Sequence, residues 1–397
     1  MPFLALAAAV LLFGTADSMV NSYIVLFGAD VVRMTPLQIG VWSSAFAVGG
    51  ITISWTLGRL FDRRPTRAYA IVVILMGSAG YLVLPRVSSY PLLLLMAATI
   101  FGAVSAAFPQ LFALARAVLG EGPAGQRATP LLRASWSMAW AVGPLIGAVI
   151  LSRNGYTGLM WTAAAVYLVA ALTVLAVTRP GPVTAEASTA GPTPVLLTVS
   201  VTLFFTAMFA GGIALSLFVT RGLNQPSASV GVLFSVCAAV EVVATLILAA
   251  LPSRTSQRAL ILGGFGSFAA YHFLTVGASG MPMLIAGQVL RGLGIAVVAA
   301  AGIRYFQDVL APATGRATTL FANSATTGLL ISGILSGAAV EQFGHRTTLV
   351  LCGLTVVVGA VAFVAGSHSP PTRHATETPV DDTFRTAAEP PIADHPA

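Results

Sequence analysis

Residues 1–27 read MPFLALAAAVLLFGTADSMVNSYIVLF, an apolar run that contains one acid, Asp17, and no basic residue. A cleaved signal peptide begins with basic residues and has a shorter apolar region. About 20 consecutive apolar residues are enough to cross a bilayer as a helix. The stretch therefore predicts a first membrane-spanning helix that is retained in the protein.

The composition of the 397 residues extends this interpretation to the whole chain. Hydrophobic residues make up 56% and charged residues 8%, whereas soluble domains are about 25% charged. So few charges cannot cover the surface of a water-soluble fold of this length. The net charge is +7, and arginine provides all of the lysine-plus-arginine count. These arginines lie between apolar runs, so we expect no nucleic-acid partner.

Twelve apolar runs of spanning length follow one another along the chain. They cover 3–28, 37–57, 68–86, 91–115, 130–152, 156–178, 195–220, 228–251, 258–278, 281–304, 317–340 and 346–366. We predict an all-α integral membrane fold with two six-helix bundles, 1–178 and 195–366. A Pro- and Gly-rich cytoplasmic linker, 179–194, joins them, and the polar, Pro-rich tail 367–397 is predicted to be disordered.

Arginine is distributed unequally between the two sides of the predicted membrane. One side holds Arg59, Arg63, Arg64, Arg67, Arg116, Arg127, Arg133, Arg179, Arg254, Arg258, Arg304 and Arg316. The other side holds Arg33, Arg86, Arg153, Arg221 and Arg346. Because basic loops stay in the cytoplasm, both termini are predicted to be cytoplasmic. The Ala- and Arg-rich, Lys-free composition favours a multi-pass protein of a bacterial cytoplasmic (inner) membrane.

The loop after the second segment contains Gly58-Arg59-Leu60-Phe61-Asp62-Arg63-Arg64. It resembles the loop signature of major facilitator transporters, with Pro65 where that signature has glycine. The resemblance implies a gating loop in which Gly58 permits close helix approach while Asp62 and Arg63 make charged contacts. The alternative is an ordinary basic cytoplasmic loop.

Longer stretches resemble one family within that superfamily. They are Phe108-Pro109-Gln110-Leu111-Phe112-Ala113-Leu114-Ala115-Arg116; Leu132-Arg133-Ala134 followed by Ala139-Trp140 and Gly143-Pro144; and Tyr305-Phe306-Gln307-Asp308 followed by Ala317-Thr318-Thr319-Leu320 and Asn323. Together they are similar to the bacterial sugar efflux transporters. This resemblance implies export of sugars or glycosides by alternating access, driven by exchange with protons. An exporter of drugs or secondary metabolites remains the alternative, and a non-transporting membrane sensor is a more remote one.

Ionisable side chains within the apolar runs are candidates for proton coupling, because a charge in the membrane is costly and is usually functional. Asp17 and Glu241 lie near the middle of segments 1 and 8, and Arg291 lies in segment 10 as a possible charge partner. Loss of water favours the neutral acid, which suits proton exchange. We favour Glu241 over Asp17 because the family resemblance covers segment 8 better than segment 1.

A sugar site needs several hydrogen-bonding groups in a largely apolar wall. The predicted substrate-binding residues are Asn21, Gln110, Arg133, Trp140, Gln288 and Asn323. The sequence contains no catalytic or nucleotide-binding motif, so we expect no enzyme activity and no cofactor, and none of its residues have the spacing of metal ligands. The expected partners are a sugar, protons and the lipid bilayer, and the protein is expected to be a monomer.

Overall fold

A computed structural model describes residues 2–120, 123–178, 193–251, 255–311 and 313–367. Most of the predicted linker 179–194 and nearly all of the predicted tail 367–397 lie outside these ranges. The described residues form α1 (Pro2–Asn21), α2 (Ile24–Asp30), α3 (Pro36–Arg63), α4 (Ala68–Val83), α5 (Tyr90–Met96), α6 (Gly102–Ser105), α7 (Ala107–Leu119), α8 (Pro123–Leu175), α9 (Val195–Leu217), α10 (Ala228–Ala250), α11 (Gln257–Val276), α12 (Met281–Val309) and α13 (Thr314–Ser367).

In the described part of the chain, 10 helical stretches are long and apolar enough to cross a membrane. Two of them, Leu131–Leu175 with 45 residues and Gly315–Ser367 with 53, are each long enough for two crossings. Each turns at a glycine with positive φ, Gly155 at 65° and Gly344 at 78°, a conformation that glycine adopts without steric cost. The predicted all-α fold built of long apolar helices is therefore confirmed, and these two long stretches fit the predicted twelve crossings.

Two of the predicted spans are less regular than their hydropathy indicates. The first, predicted as one helix over 3–28, is interrupted between α1 and α2, where Tyr23 leaves helical geometry with ψ near −1°. The Tyr23 hydroxyl donates to the carbonyl oxygen of Pro144 in α8 at 2.8 Å. The fourth contains a π-helical turn, Ala97–Phe101, between α5 and α6. The interruption between α1 and α2 therefore coincides with a tertiary contact, which local hydropathy cannot indicate.

The two halves of the molecule meet most closely through glycines of α3 and α13. A Cβ atom on Gly40 would overlap the carbonyl oxygen of Gly333, and one on Gly337 would lie 3.0 Å from the Cα atom of Gly40. The Ser44 hydroxyl of α3 donates to the carbonyl oxygen of Leu330 at 2.9 Å. Small residues of this kind let two membrane helices approach until their backbones touch.

A polar cluster joins the halves near the same end of the molecule. The carboxylate of Asp30, the last residue of α2, accepts a hydrogen bond from the Tyr156 hydroxyl at 2.7 Å within its own half. From the other half, the Arg221 Nη2 atom lies 3.4 Å from Asp30 Oδ1, and the Ser227 hydroxyl donates to Asp30 Oδ2 at 3.5 Å. We call the end of the molecule that contains this polar cluster and the Gly40–Gly333 contact the closed end. Further hydrogen bonds between the halves at this end run from the Leu37 N–H to the Glu341 carboxylate and from the Ile334 N–H to the Ser44 hydroxyl.

Away from the closed end, the facing surfaces of α3 and α13 separate. Ser44 is buried against α13, whereas Val48 and Trp55, which follow it on the same helical face, are exposed. On α13, Leu330 contacts Ser44, whereas Asn323, seven residues earlier on the same face, is exposed. A space between the halves therefore opens towards the end that carries the arginine-rich loops.

Candidate functional site

The predicted coupling acid Asp17 is held inside the N-terminal half. Its carboxylate accepts a hydrogen bond from the Asn21 amide at 2.9 Å and one from the Tyr167 hydroxyl at 3.2 Å. Asn21 follows Asp17 by four residues, so both lie on one face of α1, as predicted. The second donor, Tyr167, stacks on Tyr81 with ring centroids 5.5 Å apart. The amide of Asn21 is thus already engaged, and Asp17 has donors for its charge.

One face of α8 runs from the interface between the halves towards the opening. It contains Pro144, Trp140 and Arg133, spaced by four and seven residues. Pro144 lies at the interface, because the side chain of Tyr23 that binds its carbonyl also contacts Gly231 of α10 in the other half. Trp140 is partly buried and its indole nitrogen has no hydrogen-bond partner. Arg133 is exposed. Both therefore stay predicted substrate-binding residues.

Trp136, four residues before Trp140 on the same helix, has a packing role. It stacks on Phe13 with centroids 5.7 Å apart and meets Phe108 edge-on at 4.6 Å. Nearby, Gly143 of α8 lies against Ser18 of α1 so closely that no side chain would fit. Glycine at position 143 therefore lets α8 pack closely against α1.

Glu241 on α10 is the second predicted coupling acid. It is partly buried and makes no hydrogen bond and no ion pair within 4.0 Å to any described residue. The charges that act on it are those of Arg133, from the other half, and Arg291. Unlike Asp17, Glu241 therefore has no fixed donors, and its charge is balanced only at a distance.

Arg291 and Gln288 of α12 are buried within the C-terminal half. The Arg291 Nη1 atom donates to Gln288 Oε1 at 3.2 Å, and its guanidinium lies 4.9 Å from the ring centroid of Phe234. The Arg291 Nε and Gln288 Nε2 atoms have no partner among the described residues. Arg291 does not form the ion pair with Glu241 or Asp17 that the sequence raised as possible. It remains a buried cation with unused hydrogen bonds.

The structure adds Tyr271 and His272 of α11 to this region. The Arg291 guanidinium lies 5.8 Å from the Tyr271 ring centroid. The Tyr271 hydroxyl and both ring nitrogens of His272 are buried without a hydrogen-bond partner in the described structure. A lone histidine in an apolar helix is usually structural, so sequence alone gave no reason to group it with Arg291.

The two remaining predicted substrate residues differ in environment. Gln110 of α7 is 3% exposed, and its Oε1 atom has no partner among the described residues. Asn323 is exposed on the face of α13 that separates from α3. Gln110 is therefore a buried group with an unused acceptor, and Asn323 borders the opening.

The predicted gating residues make no close contacts in this conformation. A Cβ atom on Gly58 would have no atom within 4 Å, and the side chains of Asp62 and Arg63 are exposed. The adjacent Arg59 stacks on Trp55, with its guanidinium carbon 3.9 Å from the ring centroid. The close approach expected at Gly58 is absent here, and the role of the loop stays a prediction for a state in which this end is closed.

Sequence reasoning missed the Asp30 cluster and Tyr167. Asp30 stands at the end of an apolar run, where acids commonly occur in loops, and Arg221 is 191 residues away. Tyr167 carries a hydroxyl in the middle of an apolar segment, which is a weak signal that a polar partner faces it. No local pattern indicated that Asp17 is that partner.

Comparisons with known proteins agree with this architecture. The sequence model of the Major Facilitator Superfamily matches residues 6–220 and 196–393. A Deinococcus radiodurans protein named "Putative sugar efflux transporter" is 36% identical over 365 residues, covering 88% of this chain and 94% of its own. Sugar efflux transporter A of Dickeya chrysanthemi is 29% identical, and the match covers 90% of this chain and 91% of that protein.

Solved structures share the fold at low sequence identity. The nucleoside transporter NupG superposes with a TM-score of 0.77 at 13% identity, covering 93% of this chain and 99% of its own. A bacterial homologue of the iron transporter ferroportin, solved in an inward-facing state, superposes with a TM-score of 0.72 at 14% identity. The match covers 92% of this chain and 98% of that one. The second was solved in one of the alternating states of such transporters.

Proposed function

The chain belongs to the major facilitator superfamily, and we propose on that basis that it exports sugars or glycosides by alternating access, driven by proton exchange. The observation that carries the proposal is the 36% identity to a protein named as a sugar efflux transporter over nearly the full length of both chains. Membership of the superfamily supports a role in membrane transport.

The arrangement of the two halves supports alternating access. The halves contact each other at the closed end and separate towards the arginine-rich loops, which the positive-inside rule assigns to the cytoplasm. The conformation is then open to the cytoplasm, the state in which an exporter takes up its substrate. Labelling of cysteines placed at Ser88 and Ser188 from opposite sides of the inner membrane is the expected result for cytoplasmic termini.

The environment of Glu241 supports a role in coupling. Coupling needs a group whose affinity for a proton changes between the two open states. Glu241 faces two arginines without a fixed hydrogen bond, so a change in water access or in the distance to Arg133 alters its charge balance. Asp17 keeps its donors within one half, and a rigid movement of that half leaves them in place.

Inverted membrane vesicles test the proposal directly. Vesicles that contain the full-length protein are given radiolabelled sugars, glycosides and one drug-like cation, with and without an imposed pH gradient, and empty-vector vesicles serve as control. We expect gradient-dependent accumulation of at least one sugar or glycoside. Accumulation of the drug alone would replace sugar export with drug export, and gradient-independent uptake would remove proton coupling.

A further inference from the structure

Arg291 presents one unused edge of its guanidinium group. The side chain is 7% exposed, and its Nη1 atom is bound to Gln288 Oε1 at 3.2 Å. Nε has no partner, and Nη2 makes no hydrogen bond to a described residue. These two nitrogens lie on the same edge of the planar group, so their N–H bonds are parallel and suited to binding two neighbouring oxygen atoms.

The neighbouring helix leaves space in front of this edge. A Cβ atom on Gly212 of α9 would have a single neighbour within 4 Å, the Nη2 atom of Arg291 at 3.8 Å. By contrast, a Cβ on Gly211, one residue earlier, would collide with the ring of His272. Glycine at position 212 therefore keeps a side chain out of the space that a ligand of Arg291 would occupy.

The groups around Arg291 lack hydrogen-bond partners too. Gln288 Nε2, the Tyr271 hydroxyl and the nitrogens of His272 are all buried without one among the described residues. Leaving buried polar groups unpaired costs about 1–3 kcal/mol each. The ring of Phe234, 4.9 Å from the guanidinium, adds an apolar surface. Hydrogen-bonding groups beside aromatic rings suit a ligand that has hydroxyl groups on an apolar frame.

The charges of the region favour a neutral ligand. Glu241 lies in the electrostatic field of both Arg291 and Arg133. Arg133 is exposed in the opening between the halves and can be solvated there, so Glu241, when it is ionised, is available to balance the charge of Arg291. The unused edge of Arg291 therefore needs hydrogen-bond acceptors from a ligand, but it does not need a negatively charged one.

We propose that the Nε and Nη2 atoms of Arg291 bind two adjacent hydroxyl oxygens of a neutral sugar in the space left by Gly212. This inference rests on the proposed sugar transport and identifies the subsite in the C-terminal half. It makes a free pair of neighbouring hydroxyls the feature by which the substrate is selected. Tyr271, His272 and Gln288 surround the same subsite and supply its further hydrogen bonds.

Calorimetry on the purified full-length protein in nanodiscs tests the contact. The ligands are D-glucose and its 2-, 3-, 4- and 6-deoxy derivatives, each titrated into the unchanged protein and into Arg291→Lys, which keeps the charge opposite Glu241 but loses the planar edge. We expect removal of either hydroxyl of one neighbouring pair to weaken binding by about tenfold in the unchanged protein. In Arg291→Lys the same two derivatives should bind as D-glucose does, because the contact has already been lost.

A second pair of variants leaves Arg291 in place. Gly212→Ala puts a methyl group into the ligand space at ordinary contact distance from Nη2, so folding is preserved. Gly266→Ala makes the same change in α11 at a position with no atom within 4 Å, and it is the matched control. D-Glucose should bind about tenfold or more weakly to Gly212→Ala and as tightly to Gly266→Ala as to the unchanged protein.

Three outcomes would overturn the inference. Equal penalties for the deoxy sugars in the unchanged protein and in Arg291→Lys would show that Arg291 does not contact the hydroxyls. Tighter binding of D-glucuronate than of D-glucose, lost in Arg291→Lys, would make the edge an anion site. Unchanged binding to Gly212→Ala would place the sugar elsewhere, with sugar export in vesicles still intact. Only a failure of the vesicle assay itself would reject the proposed function.

Discussion

The glycine contact between α3 and α13 should decide which end of the molecule is closed. Gly333→Ala would place a Cβ atom 2.5 Å from the carbonyl oxygen of Gly40 and 2.5 Å from the Ser44 hydroxyl. Ordinary contacts begin at 3.4 Å, so the helices must separate by about 0.9 Å. The Gly40 carbonyl belongs to the backbone of α3 and cannot rotate away, and the Ser44 hydroxyl can do so only by giving up its hydrogen bonds.

The cost follows from the contacts that this separation disturbs. Overpacking of a tight contact costs roughly 1–3 kcal/mol. The Ser44 hydroxyl donates to Leu330 and accepts from the backbone N–H of Ile334 at 3.2 Å, and each bond is worth about 0.5–1.5 kcal/mol. The difference in helix propensity between glycine and alanine does not affect this equilibrium, because residue 333 is helical in both conformations. We therefore expect the closed end to be destabilised by about 2–6 kcal/mol, a shift of roughly 30-fold or more between the two states.

Spin-label distances measure this shift. Cysteines at Arg153 and Thr347, which are exposed at the closed end in different halves, carry the labels, with buried Cys237 and Cys352 replaced by alanine. Gly333→Ala should move the distance distribution to longer values, whereas Gly266→Ala, which meets no neighbouring atom, should leave it unchanged. An unaltered distribution in Gly333→Ala would refute the idea that this contact holds the halves together.

Three further predictions concern charged residues. Asp30→Asn should weaken the closed end by no more than about 1 kcal/mol, because the ion pair with Arg221 is partly exposed. The same spin-label distances should then no longer depend on salt concentration, and a salt dependence that persists would exclude this ion pair as its source. Glu241→Gln should allow exchange of labelled substrate but abolish accumulation driven by a pH gradient, and Asp17→Asn should retain that accumulation; the reverse result would move coupling to Asp17. Asp62→Asn should reduce the transport rate with a smaller change in substrate affinity, and an unchanged rate would leave the loop as a basic topological signal.

The sequence by itself determined the all-α membrane fold, because a helix in lipid satisfies its own backbone and needs only local apolar length. It also predicts that Asp17, Glu241 and Arg291 lie near mid-membrane depth, since each stands near the middle of an apolar run. The turns at Gly155 and Gly344 agree with the predicted boundaries between segments 5 and 6 and between segments 11 and 12.

Only the tertiary structure decided which of these polar groups have partners. Asp17 is satisfied by Tyr167, 150 residues away, whereas Glu241 has no hydrogen bond in the described structure. The sequence near Asp17 contains one of its donors, Asn21, but not Tyr167, because a distant partner is set by the rotation and packing of whole helices. The contact between Gly40 and Gly333 that closes one end likewise joins two segments that are distant in sequence. An alternating-access protein adopts at least two conformations with the same hydropathy pattern, so the sequence cannot indicate which end is closed.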